Sequence, residues 1–228
     1  MTEKISSGSK DFDEFLNGGY EKDIVTMIYG GPGTGKTNIA LLSAAEVSKT
    51  RKVIFIDTEG SFSVDRFKQV CSDFESCINN IFILCPTNFQ EQKGAFAKLK
   101  ELTEMKNIGL IIVDSIVMLY RLEIGKTKNI QGTNRELGLQ ISYLSEIARK
   151  QKIPILITNQ IYKDFDDKKK INIVGGDILK YWGKCLVELR KKDDDDNRIA
   201  ILRKHRSQAE SKELHFKITN KGIEKIGV

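Results

Sequence analysis

Short apolar runs alternate along this chain with segments whose apolar residues recur at helical spacing. Ile24–Tyr29 is a β-like run that ends in glycines, and Thr37–Lys49 follows with Ile39, Leu42, Ala45 and Val47 on one helical face. Val53–Asp57, Ile81–Leu84, Leu110–Asp114 and Ile153–Thr158 read as further strands. The segments Val64–Phe74, Phe89–Met105 and Glu136–Arg149 read as the helices between them. These strands are apolar throughout rather than alternating. That pattern belongs to a parallel sheet covered on both faces, with a helix in each connection. Beyond Gly175–Gly176 the rhythm changes, and Cys185–Arg190, Ile199–Arg203 and Leu214–Ile218 are expected as antiparallel strands closing the sheet's edge. The four acids Asp193–Asp196 end in Asn197 between two of these runs. They read as a solvated hairpin turn rather than a cation site.

With 228 residues, 40% hydrophobic and 30% charged, the chain is expected to form one α/β domain, and no Pro- or Gly/Ser-rich linker divides it. No apolar run approaches the ~20 residues of a membrane span, and Met1–Lys10 lacks the apolar stretch of a signal peptide. A cytoplasmic protein with no membrane partner is the expectation. Cys71, Cys77, Cys85 and Cys185 show no C-x-x-C spacing, and His205 and His215 are the only histidines, which argues against a zinc site. The net charge of +6 permits an anionic partner without identifying one.

Gly30-Gly31-Pro32-Gly33-Thr34-Gly35-Lys36-Thr37 fits G-x-x-x-x-G-K-[ST] between an expected strand and an expected helix, where that motif must lie. Its glycines let backbone N–H groups converge on phosphate oxygens, and the following helix aims its positive end at the same place. Lys36 would reach the β- and γ-phosphates of ATP, and the Thr37 hydroxyl would enter a Mg²⁺ shell. The nucleotide-contacting stretch is taken to run on through Asn38. Asp114 closes an apolar strand, so its carboxylate falls in the ligand crevice on the metal side. Asp57 and Glu59 end another core strand. Glu59 is either the base that orients the attacking water or a solvated loop carboxylate. Gln160, after Ile155–Asn159, is either a γ-phosphate sensor or an ordinary polar strand end.

Together these segments resemble the RecA/RadA family of recombinase ATPases, most closely a short archaeal branch of it. Ile5–Asp13, Gly18-Gly19, the P-loop, Asp57–Phe62, Leu110–Ser115, Thr158-Asn159-Gln160 and Gly175-Gly176-Asp177 occur in family order across nearly the whole chain. Asp57–Phe62 is the most specific of them. The resemblance implies a RecA-like core with a mostly parallel twisted sheet, helices on both faces and antiparallel C-terminal edge strands. It implies catalysis by Glu59, phosphate sensing by Gln160 and contact with the nucleotide's edge by Arg66. It also implies action in DNA repair and recombination, with DNA (single-stranded by preference) and a RadA-like recombinase as partners.

Only four residues precede Ile5, so a single core is expected, without the family's N-terminal helical DNA-binding domain or its Phe-x-x-Ala docking linker. A homodimer is then compatible, long filaments are not expected, and turnover is expected to be slow. The first DNA-facing loop would be Leu122–Arg135, with Lys126, Lys128 and Arg135. The second would be Ile161–Val174, with Tyr162, Phe165 and Lys168-Lys169-Lys170. The lysine run either meets DNA or is solvated, and the aromatics either stack on bases or pack under the loop. In Lys204-His205-Arg206, Arg206 is either a cation for a neighbouring subunit's γ-phosphate or part of an exposed basic turn. Two other readings share most of these residues: a KaiC-like ATPase or phosphotransfer protein, and an ATP-gated adaptor without useful hydrolysis.

Overall fold

A computed structural model describes residues 3–163, 171–173, 181–192 and 196–227. The chain opens with β1 (Lys4–Ile5), α1 (Lys10–Phe15), β2 (Tyr20–Glu21), β3 (Val25–Gly30) and α2 (Lys36–Ser48). It continues through β4 (Lys52–Asp57), α3 (Val64–Val70), α4 (Phe74–Ile78), β5 (Ile81–Leu84), α5 (Phe89–Glu104) and β6 (Ile108–Asp114). Next come α6 (Met118–Ile124), α7 (Ile130–Gln151), β7 (Ile155–Lys163) and β8 (Ile171–Ile173). It closes with β9 (Cys185–Lys191), β10 (Asn197–His205), β11 (Glu213–Thr219) and β12 (Gly222–Lys225).

One large sheet runs in the order β12-β11-β10-β9-β3-β7-β6-β4-β5, with β8 paired to β7 beside that path. The strands from β5 across to β9 are parallel, and β10, β11 and β12 form an antiparallel meander at the edge. Cys185–Arg190 was expected among the antiparallel strands. Instead β9 runs parallel to β3, and the change of direction comes one strand later, at the turn before Asn197. β9 and β10 pair antiparallel on either side of the expected Asp193–Asp196 turn, of which 193–195 lie outside the described residues.

The continuous apolar strands have their predicted cause. Along β4, Val53 and Phe55 enter one core with α1, α2 and α3, while Ile54 and Ile56 enter the other with α5 and α7. Leu110 and Ile112 divide from Ile111 and Val113 in the same way along β6. Each such residue is fully buried, which stabilises the fold by roughly 1.5–3 kcal/mol per side chain.

Two helix boundaries differ from the sequence reading. Val64–Phe74 is not one helix. Cys71 turns extended, and Asp73 starts α4 by accepting a hydrogen bond from the Ser76 N–H. The segment Leu122–Arg135 is not one loop either. Leu122–Ile124 end α6 and Ile130–Arg135 begin α7, so only residues 125–129 connect them. Asn129 caps α7 by accepting from the Gly132 N–H. Thr133 and Gln140 are polar members of α7's buried stripe, which interrupts the apolar periodicity there. The second loop reaches Lys163 as strand and pairs with β8. Residues 164–170, with Phe165 and the three lysines, and Gly175–Asp177 lie outside the described residues.

Candidate active site

The parallel strands end together at one rim of the sheet, where an open α/β fold places its ligands. Gly30 pairs with Gln160 across β3 and β7, and Asp57 pairs with Asp114 across β4 and β6. The P-loop leaves β3 here. A Cβ on Gly30 would lie 2.3 Å from the Leu189 carbonyl oxygen, so close packing against β9 requires glycine. Gly35 has φ +103°, a left-handed conformation that side chains resist, and it starts α2. No side chain caps α2, whereas Ser9, Ser63, Asn88 and Asn129 cap α1, α3, α5 and α7. The first N–H groups of α2 therefore face the loop's concavity without a side-chain acceptor, which suits an anion.

Lys36 is buried and donates to the Gly30 and Gly31 carbonyls at 3.0 and 2.8 Å. Burial lowers its pKa, and Glu59 and Asp114 nearby oppose that shift. Asp114 is fully buried and is the hub of the rim. Its Oδ2 accepts from the hydroxyls of Thr37 at 2.8 Å and Ser61 at 3.0 Å, and its Oδ1 accepts from Thr158. A hydroxyl that donates its hydrogen to Asp114 keeps its lone pairs for something else. The Thr58 N–H and hydroxyl bond the Asp114 and Ser115 carbonyls at 2.8 and 2.7 Å, fastening the end of β4 to that of β6.

The oxygen-only donor set of Thr37, Ser61 and Asp114 fits a hard cation such as Mg²⁺. Among the described residues no cluster of three His, Cys, Asp or Glu could enclose a metal, so such an ion would complete its shell with phosphate oxygens and water. Thr37, with Asp114 behind it, would hold that ion. Its chemistry there would be to neutralise charge on the phosphates.

Glu59 opens toward solvent from the β4 end, and Gln160 Nε2 donates to its Oε1 at 2.8 Å. Partial desolvation raises the Glu59 pKa, against the lowering effect of the Gln160 bond. Asp57 instead accepts from the backbone N–H groups of Glu59, Ser61 and Phe62. Arg66 on α3 donates to Asn38 Oδ1 and to the Thr219 carbonyl, both at 2.8 Å, beside the start of α2. The structure thus brings Gly30–Asn38, Glu59, Arg66, Asp114 and Gln160 together.

Arg206 is not among them. It lies beyond the end of β10 and ion-pairs with Glu21 at 2.6 Å and Asp23 at 2.7 Å, at the opposite end of the sheet from its own P-loop. Three residues carry no role in the sequence reading yet reach the site. Ser61 and Thr158 join Asp114, and both sit in the polar strand-end segments that marked the rim. Arg198 of β10 reaches the Gly33 carbonyl at 3.4 Å, and only the antiparallel edge pairing brings it there.

Fold and rim together define a RecA-like P-loop nucleotide-binding core. The chain belongs to the Rad51 family, whose sequence pattern matches residues 2–226. Proteins of this family bind nucleotide with Mg²⁺ and are DNA-dependent ATPases. The chain is 43% identical to the DNA repair and recombination protein RadB of Methanobrevibacter smithii, over 96% of this chain and 95% of that one. It is 40% identical to the RadB protein of Methanococcoides burtonii, over 98% of both. It is also similar to a crystal structure of the RadB recombinase, with a TM-score of 0.82 and 31% identity over 98% of this chain and 100% of that one. Among the described residues no helix is long and apolar enough to cross a membrane.

Proposed function

We propose that this chain is a RadB-like protein of DNA repair and homologous recombination, a single RecA-like core that binds Mg-ATP, hydrolyses it slowly and contacts DNA and a RadA-like recombinase. The observation that carries this reading is the Thr37–Asp114 hydrogen bond beside the Lys36 cradle. It supports a triphosphate over the α2 N-terminus with its metal at the Thr37 hydroxyl. Lys36 neutralises the β- and γ-phosphates, and Asn38 with Arg66 borders the nucleotide's edge. Glu59 orients and deprotonates the attacking water. Gln160, already bonded to Glu59, exchanges that bond for a γ-phosphate oxygen when ATP is bound.

Slow turnover is the reading for a monomer. The Arg206 guanidinium is held at the far end of the sheet from its own P-loop, so it would serve a γ-phosphate only on a neighbouring subunit. Such a cation accelerates phosphoryl transfer by roughly 10³–10⁵. DNA contact falls to Lys126 and Lys128 in the short turn between α6 and α7, together with the segment that follows β7.

The test is calorimetric ATP binding with Mg²⁺ alongside steady-state turnover. Lys36→Ala should abolish tight binding, and Glu59→Gln should keep binding but lose turnover. Wild-type turnover well above ~1 s⁻¹ in the monomer would contradict the slow-hydrolysis reading. The Glu59–Gln160 bond also favours a switching role, because it joins the site to β7 and its hairpin with β8. If Glu59→Gln retains repair function in cells while Lys36→Ala loses it, ATP acts as a conformational ligand.

A further inference from the structure

The sheet end opposite the P-loop carries an aromatic and cationic surface that none of these roles uses. The Lys184 N–H donates to the Val25 carbonyl at 3.3 Å, so Tyr181–Lys184 lies where β3 begins. At ~3.3 Å per residue, that is roughly 17 Å from Gly30. Tyr181 is 71% exposed, the most exposed large hydrophobic side chain among the described residues. Trp182 meets its ring edge-on at 5.8 Å, and the Lys184 ammonium lies 5.5 Å from the Tyr181 ring centre. Trp182 leans on the core on the α7 side and borders two adjoining clefts that share Asp23 and Arg149. Lys152 lines one cleft and Lys184 the other. Burial, with repulsion from Lys184, lowers the Lys204 pKa against the pull of Glu210, so that lysine lies within reach of the same field. The carboxylates lining the clefts are engaged: Asp23 by Arg206 and Glu146 by Lys150. Among the described residues Arg149, Lys152 and Lys184 form no ion pair.

We propose that this surface binds single-stranded nucleic acid, with Tyr181 and Trp182 as a stacking platform for bases and Arg149, Lys152 and Lys184 as phosphate contacts. An exposed aromatic ring backed by a half-buried one and flanked by cations is an arrangement that can hold a single strand without reading its sequence. Lysine is depleted at protein–protein interfaces, so its density here favours a polyanion over a protein partner. The surface is separate from the α6–α7 turn, and the inference rests on the DNA-binding part of the function proposed above.

Trp182 is the chain's only tryptophan, so its fluorescence reports directly on this surface. The full-length protein is titrated with oligothymidylate of about 16 nucleotides, following Trp182 emission and, independently, the anisotropy of a dye on the DNA. Binding is expected to quench Trp182. Tyr181→Ala should weaken affinity roughly five- to hundredfold. Lys152→Gln with Lys184→Gln should reduce the slope of log affinity against log salt by about 1.4, at ~0.7 per lost contact. ATP affinity should not change in either variant. If anisotropy shows binding that these variants leave intact, while Lys126→Gln with Lys128→Gln weakens it, this surface is overturned and the DNA-binding reading stands. If the wild type binds no oligothymidylate, both fall. A Trp182 response to a recombinase but not to the oligonucleotide would make the surface a protein interface and also overturn the proposal.

Discussion

Replacing Asp57 with alanine should separate the folding of the Thr58–Phe62 turn from the binding of nucleotide. Asp57 is buried, and its Oδ1 accepts from the N–H groups of Glu59 and Ser61 at 3.2 and 3.0 Å. Its Oδ2 accepts from the Phe62 N–H at 2.9 Å. Phe62 then packs edge-on against Phe55, with ring centres 5.1 Å apart, so one carboxylate shapes the whole turn from Thr58 to Phe62. Hydrogen bonds to a charged acceptor are worth about 1.5–3 kcal/mol each, but three donors in a half-exposed turn recover water when the acceptor goes. The expected loss is therefore about 3–4 kcal/mol rather than the sum. Against a total stability of roughly 5–15 kcal/mol the variant still folds. Asp57→Asn keeps one acceptor oxygen and turns an amide toward an N–H, so about 2 kcal/mol is expected. Urea unfolding at unchanged m gives the stability change, and steady-state turnover gives the functional one. Turnover should fall at least about tenfold because Glu59 and Ser61 lose their placement. ATP affinity, set chiefly by the P-loop backbone and Lys36, should fall less than turnover. An alanine variant within about 0.5 kcal/mol of wild type, with full turnover, would refute the assignment of Asp57 as the turn's organiser.

Three further predictions concern the rim and the far end of the sheet. Desolvation raises the Glu59 pKa above its ordinary value of 4.5, so the deprotonated form predominates only above that raised value. Turnover should rise with pH through it and be lost below it, and a pH–rate profile with no acid limb above 4.5 would count against the role. The stability sign is opposite. The unfolded chain releases this proton first, so the contribution is full below 4.5 and declines as pH rises through the folded pKa. Gly35→Ala adds a Cβ 2.9 Å from Ile218 Cδ1 at φ +103°. It should cost about 1–2 kcal/mol and weaken ATP binding at least about tenfold; unchanged affinity by calorimetry would deny the loop's need for that geometry. Arg206→Ala removes a partner of the buried Glu21, and thermal or urea unfolding should show a loss of about 1–3 kcal/mol with ATP affinity of the monomer unchanged. A fall in monomer affinity would instead put the guanidinium at its own nucleotide.

What could be read from the sequence divides along the range of the interactions. The P-loop is local: its glycines, lysine and threonine sit in one run, so motif and structure coincide. The acids at the ends of Val53–Asp57 and Leu110–Asp114 were legible because an apolar parallel strand must deliver its last residue to the rim. Ser61 and Thr158 were not assigned because a hydroxyl at a strand end looks like any solvated residue until a buried carboxylate is found beside it. Arg198 left no signal, since its neighbour Gly33 is 165 residues away in the chain. The start of α7 was lost because over Ile130–Arg135 burial falls on the polar Thr133 while the apolar Ile130 is 50% exposed. Periodicity reports apolar burial and is silent on polar burial. The direction of β9 was missed for a related reason, because a buried run next to a hairpin is compatible with either orientation.

The hydrogen bonds at the rim form an almost continuous path, and its order decides what ATP can do. Thr37 on α2 and Thr158 on β7 donate to the two oxygens of one carboxylate, Asp114. Two residues after Thr158, Gln160 holds Glu59. A ligand that draws Thr37 toward a cation changes what Asp114 accepts, and the same ligand's terminal phosphate competes with Glu59 for the Gln160 amide. Both effects act on β7, whose far end pairs with β8. A ligand shifts a conformational equilibrium only by its difference in affinity for the two states. In the proposed function that difference would have two sources, the metal at Thr37 and the γ-phosphate at Gln160, and hydrolysis would remove the second while leaving the diphosphate on the loop. Slow chemistry is therefore compatible with a strong switch. On the function proposed above, the bound nucleotide would set the state of the β7–β8 hairpin, and turnover would set only how long that state persists.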